Sequence, residues 1–202
     1  RVVLVDADVD AANLAILFPG EDRREEPFKA GRRARIDRDR CVGCGQCALE
    51  CRFGAIAMSG DWVAEVQPIL CEGCGVCELV CPVEAVSFRP NLAGSWFERT
   101  TDVGSLVHAR LGVAQDNSGK LVSTVRQRGD ELAETEGCDI IMIDGPPGIG
   151  CPVHAAVGGC DLAVIVTEPT PSGAHDLTRA LDLCQHFDIP ATVVVNKVNL
   201  AS

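Results

Sequence analysis

The sequence predicts an α/β protein with a parallel sheet, interrupted by a small inserted module of α+β type. Two observations predict it. Apolar, β-branched runs alternate with helical stretches in both flanks of the 202-residue chain, the pattern of strands covered on both faces. Between the flanks, eight cysteines stand in two tight groups of four. The expected organisation is a discontinuous domain over 1–30 and 94–202, with the inserted domain over 32–92. A chain of this length, 47% apolar, can bury one medium core and carry such an insertion.

Each element has its own signal. "VVLVDAD" is a buried strand that closes on Asp6 and Asp8, and Asn13-Leu14 then opens an apolar turn. "EDRREEPFKAGRRARIDRDR" holds eight basic and six acidic residues and reads as a solvated linker into the insertion, or as a docking site for a redox partner. "SLVHARLGV" is a strand, and "SGKLVSTVRQRGDELAET" a helix starting near Ser118. "CDIIMID" is a strand ending at Asp144, because the Gly-Pro-Pro-Gly that follows can neither extend a strand nor enter a helix interior. "DLAVIVTEP" gives a strand and a turn, then a helix with Leu177, Ala180, Leu181 and Cys184 on one face. "PATVVVNK" is a further strand. Asp6, Asp8, Asp144, Glu168 and Asn196 all fall at carboxyl ends of strands, where parallel sheets bind ligands.

Composition excludes some functions. A net charge of −11 argues against nucleic acid as the main partner, and the absence of Tyr with 4% aromatics leaves no stacking platform. No run is long and apolar enough for a membrane span. The chain starts at Arg1 inside one apolar run and stops just after another, as expected of an internal piece of a longer protein.

The cysteines carry the strongest signal. Cys41, Cys44, Cys47 and Cys51, then Cys71, Cys74, Cys77 and Cys81, each follow C-x2-C-x2-C-x3-C, with Pro82 after the second run. Three thiols on a tight loop can wrap a cluster, and the fourth lies one helical turn on. This is the run of bacterial ferredoxins, in which the fourth cysteine reaches the other cluster. Crossing the fourth ligands gives one 4Fe-4S set of Cys41, Cys44, Cys47 and Cys81, and a second of Cys71, Cys74, Cys77 and Cys51. Gly43, Gly45, Gly73 and Gly75 permit the turns and leave amides free to face sulfur. Zinc, which prefers two C-x2-C pairs, and disulfides are the competing readings.

The segment is also an internal repeat of period 30, with eight identities in eighteen positions. It resembles two-cluster 4Fe-4S ferredoxins over roughly residues 32 to 90. One departure is Arg52, where that family often has proline.

The flanks resemble another family. An acidic residue that closes an apolar strand before a Gly-rich turn suits a Walker-B aspartate near Mg²⁺. "DADVDAANL" and "DGPPGIG" look like the switch I and switch II segments of MinD/ParA-type ATPases, and "VVVNK" like their base-binding segment. The order of motifs resembles MinD-superfamily ATPases with an inserted ferredoxin domain. That resemblance implies a P-loop NTPase fold of the deviant-Walker, SIMIBI type, and ATP and Mg²⁺ as cofactors of the full-length protein. It implies that Asp8 orients the attacking water, Asp6 lies near the metal and Asp144 holds Mg²⁺ through water. Gly148 would offer an amide to the γ-phosphate, and Asn196, with Lys197 beside it, would hold adenine. Helix capping and turn formation are the ordinary alternatives for these residues.

A phosphate loop is not found. "GVAQDNSGK" fails the pattern twice, with Ala114 where Gly is needed and Leu121 after Lys120. The loop is expected on a strand preceding "VVLVD", so this piece alone is not expected to bind ATP well. Cys138, Cys160 and Cys184 read as core and the four histidines as structural; Cys151, just after the Gly-rich turn, reads as a small buried residue, with a redox-active or metal-binding thiol as the alternative. The implied function is ATP-coupled electron transfer through two 4Fe-4S clusters. A cluster carrier and a plain ferredoxin-type carrier on an inert frame are the alternatives. Implied partners are redox proteins and, from the resemblance, an ATP-dependent homodimer or a paired paralogue. Twelve thiols point to a reducing cytoplasm.

Overall fold

The computed structural model describes residues 1–112, 115 and 118–200. The chain divides into two compact units. The first comprises 1–26, 95–111 and 118–202, and the second 27–94 and 112–117.

In chain order the elements are β1 (Val2–Asp6), α1 (Leu14–Leu17), β2 (Gly20–Ile36), α2 (Gln46–Leu49), β3 (Ile56–Met58) and β4 (Ala64–Val66). There follow α3 (Val76–Leu79), β5 (Val86–Thr101), β6 (Gly104–Leu111), α4 (Ser118–Glu136), β7 (Ile140–Asp144) and α5 (Cys151–Val157). The last are β8 (Ala163–Thr167), α6 (Pro171–His186) and β9 (Ala191–Val195). Part of the "GVAQDNSGK" stretch lies outside the described residues, but its last three residues open α4.

A five-stranded sheet runs in the order β2-β5-β6-β1-β7. Strand β1 pairs in parallel with β6 on one side and β7 on the other, with Asp6 in register with Asp144. The turn between β5 and β6 is two residues long and tied by Thr101 Oγ1, which accepts from Gly104 N at 3.2 Å and donates to Gly104 O at 2.6 Å. A connection so short joins only antiparallel strands, so the sheet is mixed. Val3, Val5, Leu106 and Val107 are fully buried, as continuous apolar strands require. Leu121, Val122 and Val125 of α4 complete that core. The helix approaches closely because residue 129 is glycine: a Cβ there would stand 2.5 Å from Val5 Cγ2.

Two expectations need correcting. The charged stretch after residue 20 is no linker but most of β2. Most of its residues stay exposed, but several of its charges are also paired across the sheet. Arg99 on β5 grips Asp22 through Nε–Oδ1 and Nη2–Oδ2 contacts of 2.7 and 3.0 Å. Arg24 reaches the buried Glu98 at 3.4 Å, and Arg128 of α4 reaches it at 2.7 Å. Opposite charges on neighbouring strands stabilise a ladder that composition alone would assign to a loop.

The second correction concerns the sheet. The strands do not form one sheet covered on both faces. Strands β8 and β9 pair in parallel with each other as a separate two-stranded sheet. Strand β7 is an edge, so Ile140 and Met142 are exposed, as are Val164 and Val166 on β8. On α6, Cys184 is buried but Leu181 is exposed. Cys151 is exposed at the start of α5, and Cys138 and Cys160 are only half-buried.

In the second unit, β3 and β4 form a short antiparallel pair, Ile56 opposite Val66. The buried core there is Ala34, Cys47, Ile56, Ala64, Cys77 and Val86, so two of its six residues are cysteines. Among the described residues no helix is long and apolar enough to cross a membrane.

Candidate functional site

The second unit gathers all eight motif cysteines around two cavities. Cys41, Cys44 and Cys47 line one of them together with Cys81 from the far repeat. Cys71, Cys74 and Cys77 line the other together with Cys51. These are the crossed sets expected from the spacing. Each cavity holds about 330 Å³ of empty space, part of it open to solvent.

Local sequence explains the arrangement. Gly45 and Gly75 are left-handed, with φ of 76° and 93°, and each opens a one-turn helix, α2 or α3. The third cysteine of each run, Cys47 or Cys77, sits in that turn and is buried. The second, Cys44 or Cys74, is exposed. Gly43 and Gly73 let each loop lie against the turn before β4 or against β2: a Cβ would stand 2.3 Å from Trp62 O or 2.1 Å from Arg32 O.

The donors suit a polynuclear iron–sulfur group. Each cavity presents four thiols on apolar walls, with Glu72 as the one charged residue lining either. Backbone amides point at sulfur: Ala34 N lies 3.4 Å from Cys71 Sγ, and Ala85 N lies 3.2 Å from Cys81 Sγ. Burial, and then the neighbouring Cys71 and Cys74, push the Cys77 thiol up to about 11. Burial first, and then Cys41 and Cys44 against an opposing amide, raise Cys47 too. A metal that binds thiolate therefore has to displace protons here.

Two arginines escaped the sequence reading. Arg32 Nε donates to Gly73 O at 3.1 Å, and Arg33 Nη1 donates to Cys71 O at 3.3 Å. Both thus brace the loop of the second cysteine run. Superposing the two halves of the repeat would have drawn attention to them, because the partner half has Trp62 and Val63 at those positions.

The first unit brings three of its predicted residues together. Asp6 is fully buried. Its carboxylate accepts from Asp8 N at 3.2 Å, Asn13 N at 3.0 Å and Leu14 N at 2.9 Å. It therefore clamps the loop that carries Asp8. Ala7 N donates to Asp144 O at 2.8 Å, which ties that loop to the end of β7. Burial raises the Asp6 pKa; the Leu14 amide opposes this and the charge of Asp144 adds to it. Asp144 is also raised, by burial and then by Asp8. Three mutually repelling carboxylates at adjacent strand ends favour a cation or a proton. Gly148, with φ of 91°, stands in the turn after β7.

Asn196 and Lys197 lie elsewhere, at the end of β9 in the separate sheet. Asn196 N donates to Thr167 O at 2.8 Å, its Oδ1 accepts from Lys197 N at 2.8 Å, and Lys197 Nζ pairs with Glu168. The Asn196 side chain oxygen is thus engaged locally.

Comparison with known proteins agrees with the cysteine geometry. The sequence model of a 4Fe-4S dicluster domain matches residues 34–88. An uncharacterized protein of Methanocaldococcus jannaschii, MJ0578, is 34% identical over 197 residues, covering 98% of this chain and 67% of its own. A second uncharacterized protein of that organism, MJ0579, is 26% identical over 204 residues, covering 100% and 71%.

Proposed function

We propose that this chain, which belongs to one family with the MJ0578 protein of Methanocaldococcus jannaschii, transfers electrons through two 4Fe-4S clusters under the control of an ATP- and Mg²⁺-dependent switch. The 4Fe-4S dicluster domain itself indicates an iron–sulfur electron-transfer role. The observation that carries the finer reading is the pair of cavities, each lined by a complete crossed set of four cysteines. Cys41, Cys44, Cys47 and Cys81 would hold one cluster, and Cys51, Cys71, Cys74 and Cys77 the other. When bound, the clusters supply one-electron chemistry that no side chain of this chain offers. The protein's part is to supply thiolates, aim amides at sulfur and keep one edge of each centre, at Cys44 and Cys74, near solvent and within reach of a redox partner.

The switch belongs to the first unit. Asp144 would hold Mg²⁺ through water, and Asp8 would orient the attacking water. Asp6 would act from behind, fixing the Asp8 loop through its three amide contacts. The Gly148 amide would face the γ-phosphate, and Asn196 and Lys197 the base. Such a switch needs a phosphate loop outside these 202 residues, so ATP binding is proposed for a longer chain. The open edge of β7 and the edges of the β8–β9 pair suit a further parallel strand. Closure over ATP between two copies, or between this protein and a paralogue, follows from the same reading. Complete cysteine sets within one chain disfavour the alternative of a carrier that hands clusters to other proteins.

The test is a redox titration followed by electron paramagnetic resonance, on the full-length protein prepared anaerobically, with and without MgATP. Two clusters per chain and a nucleotide-dependent change in potential or signal are expected. Two clusters indifferent to MgATP would leave a plain ferredoxin-type carrier, and absence of clusters would overturn the reading altogether.

A further inference from the structure

The period-30 repeat holds in space as well as in sequence. Ala34 lines one cavity and Ala64 the other. Gly73 abuts the Arg32 carbonyl as Gly43 abuts that of Trp62. Glu84, with φ of 49°, occupies the left-handed position held by Gly54, with φ of 61°. The loop backbones of the two halves correspond at these positions, though Trp62, with φ of 60°, departs from Arg32 in the extended strand β2; the remaining differences at the centres are in side chains.

The charged differences gather at one centre, and there the cations are the groups held against the cavity's rings and loop. Beside the centre of Cys51, Cys71, Cys74 and Cys77 stand Arg32, Arg33 and Arg52; the equivalent residues of the other half are Trp62, Val63 and Pro82. Arg32 lies over the Phe88 ring at 4.2 Å and Arg52 over Phe53 at 5.4 Å, and both rings line that cavity. Arg33 holds the Cys71 carbonyl. Against these three cations Glu72 lines the cavity, where the other half has Val42; Glu50 and Glu78, beside Cys51 and Cys77 where the other half has Val80 and Ala48, are exposed and do not line it. The other half has guanidiniums of its own, but they are matched. Among the described residues, Arg38 pairs with Asp61 and Glu65 at 2.7 and 2.6 Å, and Arg40 with Glu84 at 3.5 Å.

Reduction adds negative charge to a cluster, and nearby fixed positive charge favours the reduced form. We propose that the two centres are inequivalent, and that the one held by Cys51, Cys71, Cys74 and Cys77 is the higher-potential site, made so by Arg32, Arg33 and Arg52. This rests on the two-cluster reading above. An electron that arrives at the Cys41, Cys44, Cys47 and Cys81 centre passes to the other; one centre is oxidised and the other reduced by that single electron, with no bond made or broken.

The experiment is a potentiometric titration, followed by electron paramagnetic resonance, of the anaerobically loaded full chain and its variants. Two midpoints are expected, far enough apart that the singly reduced protein prefers one centre by at least about tenfold, or about 59 mV for one electron. R32Q/R33Q lowers the higher midpoint and leaves the lower in place. R52P, which copies Pro82 into the equivalent backbone position, does the same without removing the loop contacts of Arg32 and Arg33. E84G, which copies Gly54, raises the lower midpoint. Coincident midpoints in the parent protein, or arginine variants that move the lower midpoint or both alike, would overturn the proposal. Iron and sulfide analysis of the same samples separates the outcomes: two clusters with equal midpoints sink this inference alone, whereas no clusters sink the reading beneath it.

Discussion

Gly43 and Gly73 show how narrowly single residues govern the metal centres. Both hold positive φ, 70° and 64°, and both leave no room for a Cβ against a carbonyl oxygen. Alanine at 73 would strain the backbone and push the loop off Arg32 O, since left-handed geometry costs a non-glycine roughly 1–2 kcal/mol before any clash. We expect G73A to lose about half of the bound iron, because loop geometry sets affinity for the Cys71 set and leaves the Cys41 set intact; iron analysis of the purified protein checks this. In the first unit, His108 is as constrained. It is buried, stacked on Phe97 at 4.9 Å, and its Nε2 lies 3.2 Å from Asp22 Oδ1. Burial lowers its pKa; Asp22 opposes this, while Arg99 and Arg110 add to it. The unfolded chain therefore takes up a proton as pH falls through about 6.5, while the folded protein does not until lower pH. The unfolded state binds more protons in that window, so stability falls as pH falls. Asp22 acts below it: the Arg99 hydrogen bond lowers its pKa to about 2 from an ordinary 3.8, so its contribution is present above the ordinary value and lost on descent to about 2. Urea midpoints should thus decline from pH 7 to pH 5 in the parent protein, and H108F should flatten that decline.

At the scale of elements, β2 is held by ionic contacts to an unusual degree. Glu98 of β5, buried among Arg23, Arg24 and Arg128, joins β2, β5 and α4. E98A removes the shared buried acceptor and leaves Arg23, Arg24 and Arg128 only their more exposed partners, Glu136, Glu26 and Glu131. A loss of roughly 1–3 kcal/mol is expected, less than for a wholly buried pair because the arginines reach solvent; thermal unfolding of parent and variant measures it. The same strand shows why some of the architecture was legible in the sequence and some was not. Strands β1 and β6 declared themselves because each is buried and apolar along its length. The start of α4 was legible in Ser118, and the spacing of the eight cysteines marked two groups of four, whose crossing came from the likeness to bacterial ferredoxins. Strand β2 stayed hidden because its stabilising partners, Glu98 and Arg99, lie more than seventy residues away, and no local pattern marks a charge that will be paired across a sheet. Strands β7, β8 and β9 were recognised as strands, but their apolar runs promised burial that the exposed Ile140, Met142 and Val166 do not have. Periodicity registers the potential to pair and is silent on which neighbour is present. For the same reason sequence spacing is silent on the three backbone N–H groups that the Asp6 carboxylate accepts.

At the scale of the molecule, the two units differ in what can hold them folded. The first has a core of Val3, Val5, Leu106, Val107, Leu121 and Val125, backed by the nineteen-residue helix α4. The second has little of this kind. Its helices are four residues long, its β3–β4 pair has three residues a side, and the core around its cysteines has only Ile56 and Val86 as larger aliphatic residues. A unit below about 70–80 residues with so slight a core ordinarily needs a staple, and bound metal is one. Here the staple would join the repeats, because Cys81 completes the first set and Cys51 the second. Loss of metal should therefore act unequally. After anaerobic removal of iron with a chelator and reductant, the segment 27–94 should become sensitive to protease and lose its amide protection. Residues 95–111 and 118–200 should retain theirs, since the burial of α4 on β1 and β6 involves none of the eight cysteines. Hydrogen exchange read by mass spectrometry distinguishes the two segments in one sample. Equal loss of protection in both would mean that the clusters stabilise the whole chain, and no loss in either would mean that the cysteine unit folds on its apolar core alone.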